Sequence, residues 1–152
     1  MKRISDLEKK YVIEALENEF TTSQNRIFNN RLEKEFAELF NANYAISHVN
    51  GTATMHTALA ACEVMPDEEV IVPPLTMSST TLAVLQNGSI PVFADVDPDT
   101  FNISPEGIEK VITEKTRAII TVALYGLSPD YDKILDICKR RKLYLIEDNA
   151  EC

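Results

Sequence analysis

Tryptophan is absent from the 152 residues, histidine occurs twice, cysteine three times and glycine four times. Each scarcity excludes a class. Cys62, Cys138 and Cys152 are odd in number and no two stand in a CxxC spacing, which argues against a disulfide framework or a zinc site and fits a reducing compartment. His48 and His56 are too isolated to nominate as bases, so a structural or surface role is expected for both. The four glycines form no GxGxxG fingerprint, and no Lys follows Gly51 as a Walker loop requires. No apolar run approaches the ~18 residues of a membrane span. Positive charge is the scarcer sign, 15 Lys+Arg against 24 Asp+Glu, giving −9 and a pI near 4.7. Nucleic acid and anionic membrane surfaces, which are bound through Lys and Arg clusters, are disfavoured as partners. The start, MKRISDLEKK, runs into YVIEALENEF without an apolar stretch, so no signal peptide is expected and a cytoplasmic location is.

What is present is 45% hydrophobic and 26% charged, the balance of a globular chain long enough for one domain and its own core. Ser5 with Glu8 forms a capping box ahead of Leu7, Tyr11, Ile13 and Leu16, predicting a helix over about 6 to 19. TTSQN (21 to 25) reads as a loop, and Asn30 with Glu33 as a second box before Phe36, Leu39 and Phe40. Beyond that point the pattern changes to short β-branched runs: YAISHV (44–49), VIVP (70–73), IPVFADV (90–96), AIITVAL (118–124) and LYLIED (143–148). These predict strands buried on both faces. Helical stretches lie between them, over 52–62, 78–87, 105–112 after the Ser104 cap, and 130–141. Alternation of strand and helix with short links predicts an α/β fold, a three-layer α/β/α unit on a mainly parallel sheet.

Three segments sit where such a sheet carries its chemistry, outside the carboxyl ends of the strands. HVNGTATMH (48–56) passes through Asn50, Gly51 and Thr52 into a helix whose first amides could seat a phosphate; alone it reads first as a routine strand-to-helix turn with a Thr cap. VIVPPLTMSST (70–80) makes a rigid turn through two prolines before Met77, which could cover a planar ligand or simply be a core methionine. EDNAEC (147–152) delivers Asp148 to a strand end, a position costly for a carboxylate unless a cation or several donors meet it. The chain then stops on a hydrophobic strand, which reads as a truncation.

In this order and spacing, NGTATMHTALAA, EEVIVPPLTMSSTTLAVLQNGSIPVFADVDPDTFNISPEGIEKVITEKTRAIITVALYGLSPDYDKI and LIEDNAEC resemble the amino-terminal half of the DegT/DnrJ/EryC1/StrS aminotransferases. These are pyridoxal 5'-phosphate enzymes of fold type I that aminate nucleotide-linked keto sugars. The resemblance implies an amino-terminal helix and loop over 1–24, an incomplete cofactor-binding large domain over 25–152, and an absent carboxy-terminal small domain. It assigns Gly51, Thr52 and Ala53 to the cofactor phosphate and Asp148 to the pyridinium nitrogen, which that carboxylate keeps protonated. Met77 falls where many members stack an aromatic residue on the ring, and Glu151 where Gln or His is common near the ring hydroxyl; both are departures. The family's Schiff-base lysine comes from beyond Asp148, in a Ser-x-x-Lys setting that none of the nine lysines here has. The resemblance further implies glutamate as amino donor and a homodimer in polysaccharide biosynthesis.

Three readings follow. The chain is a piece of a nucleotide-sugar aminotransferase, inactive alone for want of its lysine. Alternatively it is a non-catalytic remnant or interaction module of that fold, or a generic α/β nucleotide binder outside the pyridoxal class.

Overall fold

The computed structural model describes residues 3–18 and 26–152. The loop expected over 21–25 lies outside them. The chain divides into two compact units, one ending at Ser47 and one beginning at His48.

The first unit holds α1 (Asp6–Glu17) and α2 (Ile27–Leu39). The expected capping box opens α1: the Ser5 hydroxyl accepts from the Glu8 N–H, and the Glu8 carboxylate from the Ser5 N–H. The second box does not form. α2 starts four residues earlier, at Ile27 after an Arg26 cap position, so Asn30 lies inside the helix. Glu33 is instead taken by the Ser47 N–H at 2.9 Å, the Ser47 hydroxyl at 2.8 Å and Arg26 at 3.2 Å. The strand expected over 44–49 is likewise absent. The Ser47 amide is spent on the Glu33 side chain rather than on a ladder, and Tyr44 and Val49 are 86% and 89% exposed. α1 packs Tyr11 edge-on against Phe28 of α2, and Glu14 pairs with Arg31 at 2.9 Å. Neither helix buries a residue, and Leu7, Val12, Leu16, Phe36, Leu39 and Phe40 stay exposed.

The second unit runs α3 (Gly51–Ala61), β1 (Glu69–Val72), α4 (Ser78–Gln86), β2 (Ile90–Phe93), α5 (Pro105–Val111), β3 (Thr116–Val122), a 3-10 turn (Leu124–Gly126), α6 (Tyr131–Arg141) and β4 (Tyr144–Asp148). All three strand pairings are parallel, in the order β2-β1-β3-β4. Side chains alternate across a strand. Val70, Val72, Ala118, Ile120 and Ile146 therefore face one layer with Met55 and Leu59 of α3 and Ala83 and Val84 of α4. Ile71, Ile119 and Leu145 face the other with Ile108 of α5 and Ile134, Ile137 and Cys138 of α6. The result is the expected three-layer α/β/α unit.

Burial on both faces holds for the central strands only. β1 and β3 are almost wholly buried, whereas β2 and β4 are edge strands that leave Ile90, Phe93 and Tyr144 exposed. Their apolar runs were indistinguishable from those of the centre because periodicity reports burial of faces, not position in the sheet.

α5 approaches the chain after β2 closely at Gly107, where a Cβ would stand 2.8 Å from the Asp95 carbonyl oxygen and 3.0 Å from its nitrogen. Backbone cannot yield as a side-chain tip would. Gly107→Ala is expected to destabilise the chain by about 1–3 kcal/mol, overpacking outweighing the helix-propensity gain of up to ~1 kcal/mol. Urea unfolding checks this, and an unchanged midpoint would mean that α5 slides freely.

Candidate functional site

Because every strand is parallel, the segments after β1, β2, β3 and β4 all open at one edge of the sheet. α3 joins them there by its start. Its end leads into Val64 and Met65, whose carbonyls accept from the Asn87 amide group and the Ser89 hydroxyl just ahead of β2. The end of α3 thus lies at the amino edge, and 11 residues at 1.5 Å each, about 16 Å, carry the helix back across the sheet to Gly51 at the carboxyl edge.

The helix start is organised by Asn50, not by a threonine cap. Its Oδ1 accepts from the Ala53 N–H at 2.9 Å, and its carbonyl takes the Thr54 N–H and hydroxyl. Ala53 N–H is therefore already occupied, while the amides of Gly51 and Thr52 have no intrachain acceptor among the described residues. A Cβ built on Gly51 meets nothing within 4 Å, so the space beside Gly51 is open. Exposed N–H groups at the positive end of a helix dipole, with room beside them, fit a phosphate.

Met77 is the N-cap residue of α4, in extended backbone with no side-chain cap bond, and its side chain is 70% exposed. The alternative of a core methionine is thereby removed. Buried Pro73 anchors the turn, and the Thr76 and Thr80 hydroxyls meet at 3.3 Å behind it.

Asp148 closes β4, half-buried, opposite Val122. One carboxylate oxygen accepts from the Ala150 N–H at 3.2 Å, and its carbonyl accepts from the Ala123 N–H at 3.1 Å. No Lys or Arg pairs with it among the described residues, so its negative charge is available to a cationic ligand group. Glu151 is exposed and accepts from the Tyr125 N–H at 2.6 Å.

Lysine is the residue type this edge is short of. In the sheet unit Lys110, Lys115, Lys139 and Lys142 lie toward the amino edge, at the ends of α5 and α6 or before β3. Lys133, in the first turn of α6, stands at the carboxyl edge but pairs with Asp130 at 3.1 Å. That carboxylate, with Glu106 and Asp97 beyond it, holds the ammonium above the usual lysine range and so away from nucleophilic work.

The sequence profile of the DegT/DnrJ/EryC1/StrS aminotransferase family matches residues 2–152. The chain belongs to that family. Among curated relatives, the GDP-perosamine synthase of Caulobacter vibrioides is 40% identical over 149 residues, covering 98% of this chain and 40% of the relative. Among solved structures, the aminotransferase from Psychrobacter cryohalolentis superposes with a TM-score of 0.89 at 36% identity over 99% of this chain and 38% of that one. A GDP-4-keto-6-deoxymannose-3-dehydratase with a trapped PLP-glutamate geminal diamine gives 0.85 at 30% identity, over 99% and 40%. This aminotransferase-family chain spans about two fifths of the length of the first curated relatives it matches.

Three residues that shape the edge carry weak signals in the sequence. Asn50 is one of many polar residues ahead of a helix. Asn102 is 4% exposed between two apolar neighbours, and bonds the Leu127 carbonyl at 2.8 Å and the Leu124 N–H at 3.3 Å, tying the segments after β2 and β3 together. Tyr125 has φ +54°. A buried asparagine in FNIS could have been suspected; a left-handed tyrosine could not.

Removing the α3 cap tests this description. Asn50→Ala is expected to cost about 1 kcal/mol of stability, the usual loss for an N-cap, measured by chemical unfolding. A change within error would show that Asn50 does not hold the helix start.

Proposed function

We propose that this chain is the cofactor-binding portion of a pyridoxal 5'-phosphate-dependent aminotransferase that transfers an amino group from glutamate to a nucleotide-linked keto sugar. The family match over 2–152 carries this reading, supported by the open amides of Gly51 and Thr52 and the cation-free Asp148 at one edge of the sheet. Residues 25–152 form part of the large domain in this reading, with 1–24 as an amino-terminal helix and loop.

Pyridoxal phosphate, when bound, supplies an electron sink for a carbanion next to the amino nitrogen. The rest is done by the chain. Gly51, Thr52 and Ala53 at the α3 start hold the phosphate, Ala53 through the turn its amide closes with Asn50. Met77 covers one ring face with a polarisable thioether in place of an aromatic ring. Asp148 keeps a proton on the ring nitrogen, and Glu151 lines the site from the segment after β4. The proton-transferring lysine is not among these residues, so the 152-residue chain binds without catalysing. The alternative, a non-catalytic module of the same fold, shares this binding and is separated from the first reading by whether the intact gene product transaminates. Amination of a nucleotide sugar belongs to polysaccharide precursor synthesis in the cytoplasm.

Titration of the chain with pyridoxal phosphate, followed by absorbance, is expected to show reversible binding. Asp148→Asn should weaken it about tenfold to a hundredfold, the worth of a hydrogen bond between charged groups. Borohydride treatment and mass spectrometry should find no stoichiometric lysine adduct, and no keto-sugar transamination should exceed that of free cofactor. A single lysine labelled stoichiometrically would overturn the assignment and restore the chain as an enzyme.

Association as a homodimer belongs to the same proposal. The exposed apolar residues of α1 and α2 are a sequence-local surface suited to it. Light scattering should give a mass above 17.1 kDa at micromolar concentration, and Leu16→Glu with Phe36→Glu should shift it to that of one chain. A single-chain mass across a broad concentration range would contradict the proposal.

A further inference from the structure

We propose that Glu151 is a positioning residue: its carboxylate fixes the main chain of Tyr125, and through that turn holds Asp148 in place. The consequence for the cofactor rests on the reading of the site given above; the clamp itself does not.

Three successive amides at the end of β3 go to three different partners. Ala123 N–H donates to the Asp148 carbonyl at 3.1 Å, Leu124 N–H to Asn102 Oδ1 at 3.3 Å, and Tyr125 N–H to Glu151 Oε2 at 2.6 Å. The first closes the last register pair of the β3–β4 ladder, Val122 with Asp148. The second is made by a side chain 4% exposed, which also donates to the Leu127 carbonyl and so grips both ends of the turn. The third is short and charge-assisted, and it is the bond that a side chain at the outer surface supplies.

The turn needs holding. Tyr125 has φ +54° and ψ +25°, and Gly126 follows at φ +79°. Glycine adopts that region freely, but a tyrosine is there only where its surroundings impose it. The surroundings are Asn102 on one side and the segment after β4 on the other. That segment touches the turn twice more: a Cβ on Gly126 would lie 3.3 Å from the Glu151 carbonyl oxygen, and Cys152 Sγ is 3.9 Å from the Gly126 carbonyl. Asp148 sits between the anchored points. Its carbonyl is held by Ala123, its carboxylate by the Ala150 N–H, and three residues on Glu151 closes the loop. Releasing Glu151 frees the turn to leave the left-handed region and loosens the end of β4 that carries the Asp148 carboxylate. An ionised carboxylate only accepts, and a glutamine keeps an acceptor oxygen at the same reach, whereas alanine does not.

Amide hydrogen exchange on the 15N-labelled chain reads the clamp without cofactor. In the wild type the Tyr125 amide is expected to be protected although the residue is 80% exposed. Glu151→Ala should speed its exchange about tenfold or more, and Glu151→Gln about twofold at most. Pyridoxal phosphate titration reads the consequence: about three- to tenfold weaker for Glu151→Ala, and largely recovered by adding Tyr125→Gly, which removes the need to be held. Three results would overturn the proposal: a wild-type Tyr125 amide exchanging at its unprotected rate, a glutamine variant whose Tyr125 amide exchanges as fast as the alanine variant's, or no recovery with Tyr125→Gly. The first needs no variant, so it decides even if Glu151→Ala does not fold. A protected amide in a chain that fails to bind pyridoxal phosphate upholds the clamp and removes the cofactor reading instead.

Discussion

Parallel pairing of β3 with both β1 and β4 is the constraint on which the sheet unit depends. A parallel neighbour can be reached only by carrying the chain back to the starting edge, which α4, α5 and α6 each do. Every segment that leaves a strand therefore leaves at the same edge. Met77, Asn102, Tyr125 and Asp148 are spread along more than half of this unit, yet the topology gathers their segments without any side chain having to specify it. What side chains add is the final fastening, through Asn50, Asn102 and Glu151.

The architecture of the unit was legible because burial on two faces leaves its mark as short apolar runs, and because helix caps are local. Ser5, Ser104 and Asp130 each cap the helix expected to follow them. Glu33 misled for a physical reason. A carboxylate three residues after an asparagine satisfies the capping pattern, but here it is drawn to the Ser47 amide fourteen positions away, and no local pattern encodes such a partner. The run YAISHV failed similarly: β-branched composition allows a strand, while a strand exists only where another offers its edge. At the site, glycine and aspartate could be nominated from their chemistry. The left-handed Tyr125 could not, since its conformation is set by bonds to Asn102, Asp148 and Glu151, all distant in sequence.

An aminotransferase and a GDP-4-keto-6-deoxymannose-3-dehydratase each superpose on 99% of this chain. One set of strands and helices thus serves relatives named for different reactions. What separates them must lie in individual side chains or in the remaining three fifths of their length. Met77 and Glu151, read from the sequence as departures from the family pattern, both lie at the carboxyl edge rather than in the core.

The two apolar clusters on either side of the sheet have no side chain in common. Ile120 and Ile146 look one way, Ile119 and Leu145 the other, and the only material joining the clusters is the main chain of the strands. Energetically the unit is two cores in parallel rather than one. A void opened beneath α3 and another beneath α6 have no shared packing through which to compound or compensate, so their costs add, and the molecule can accumulate sequence change on one face without negotiating it with the other.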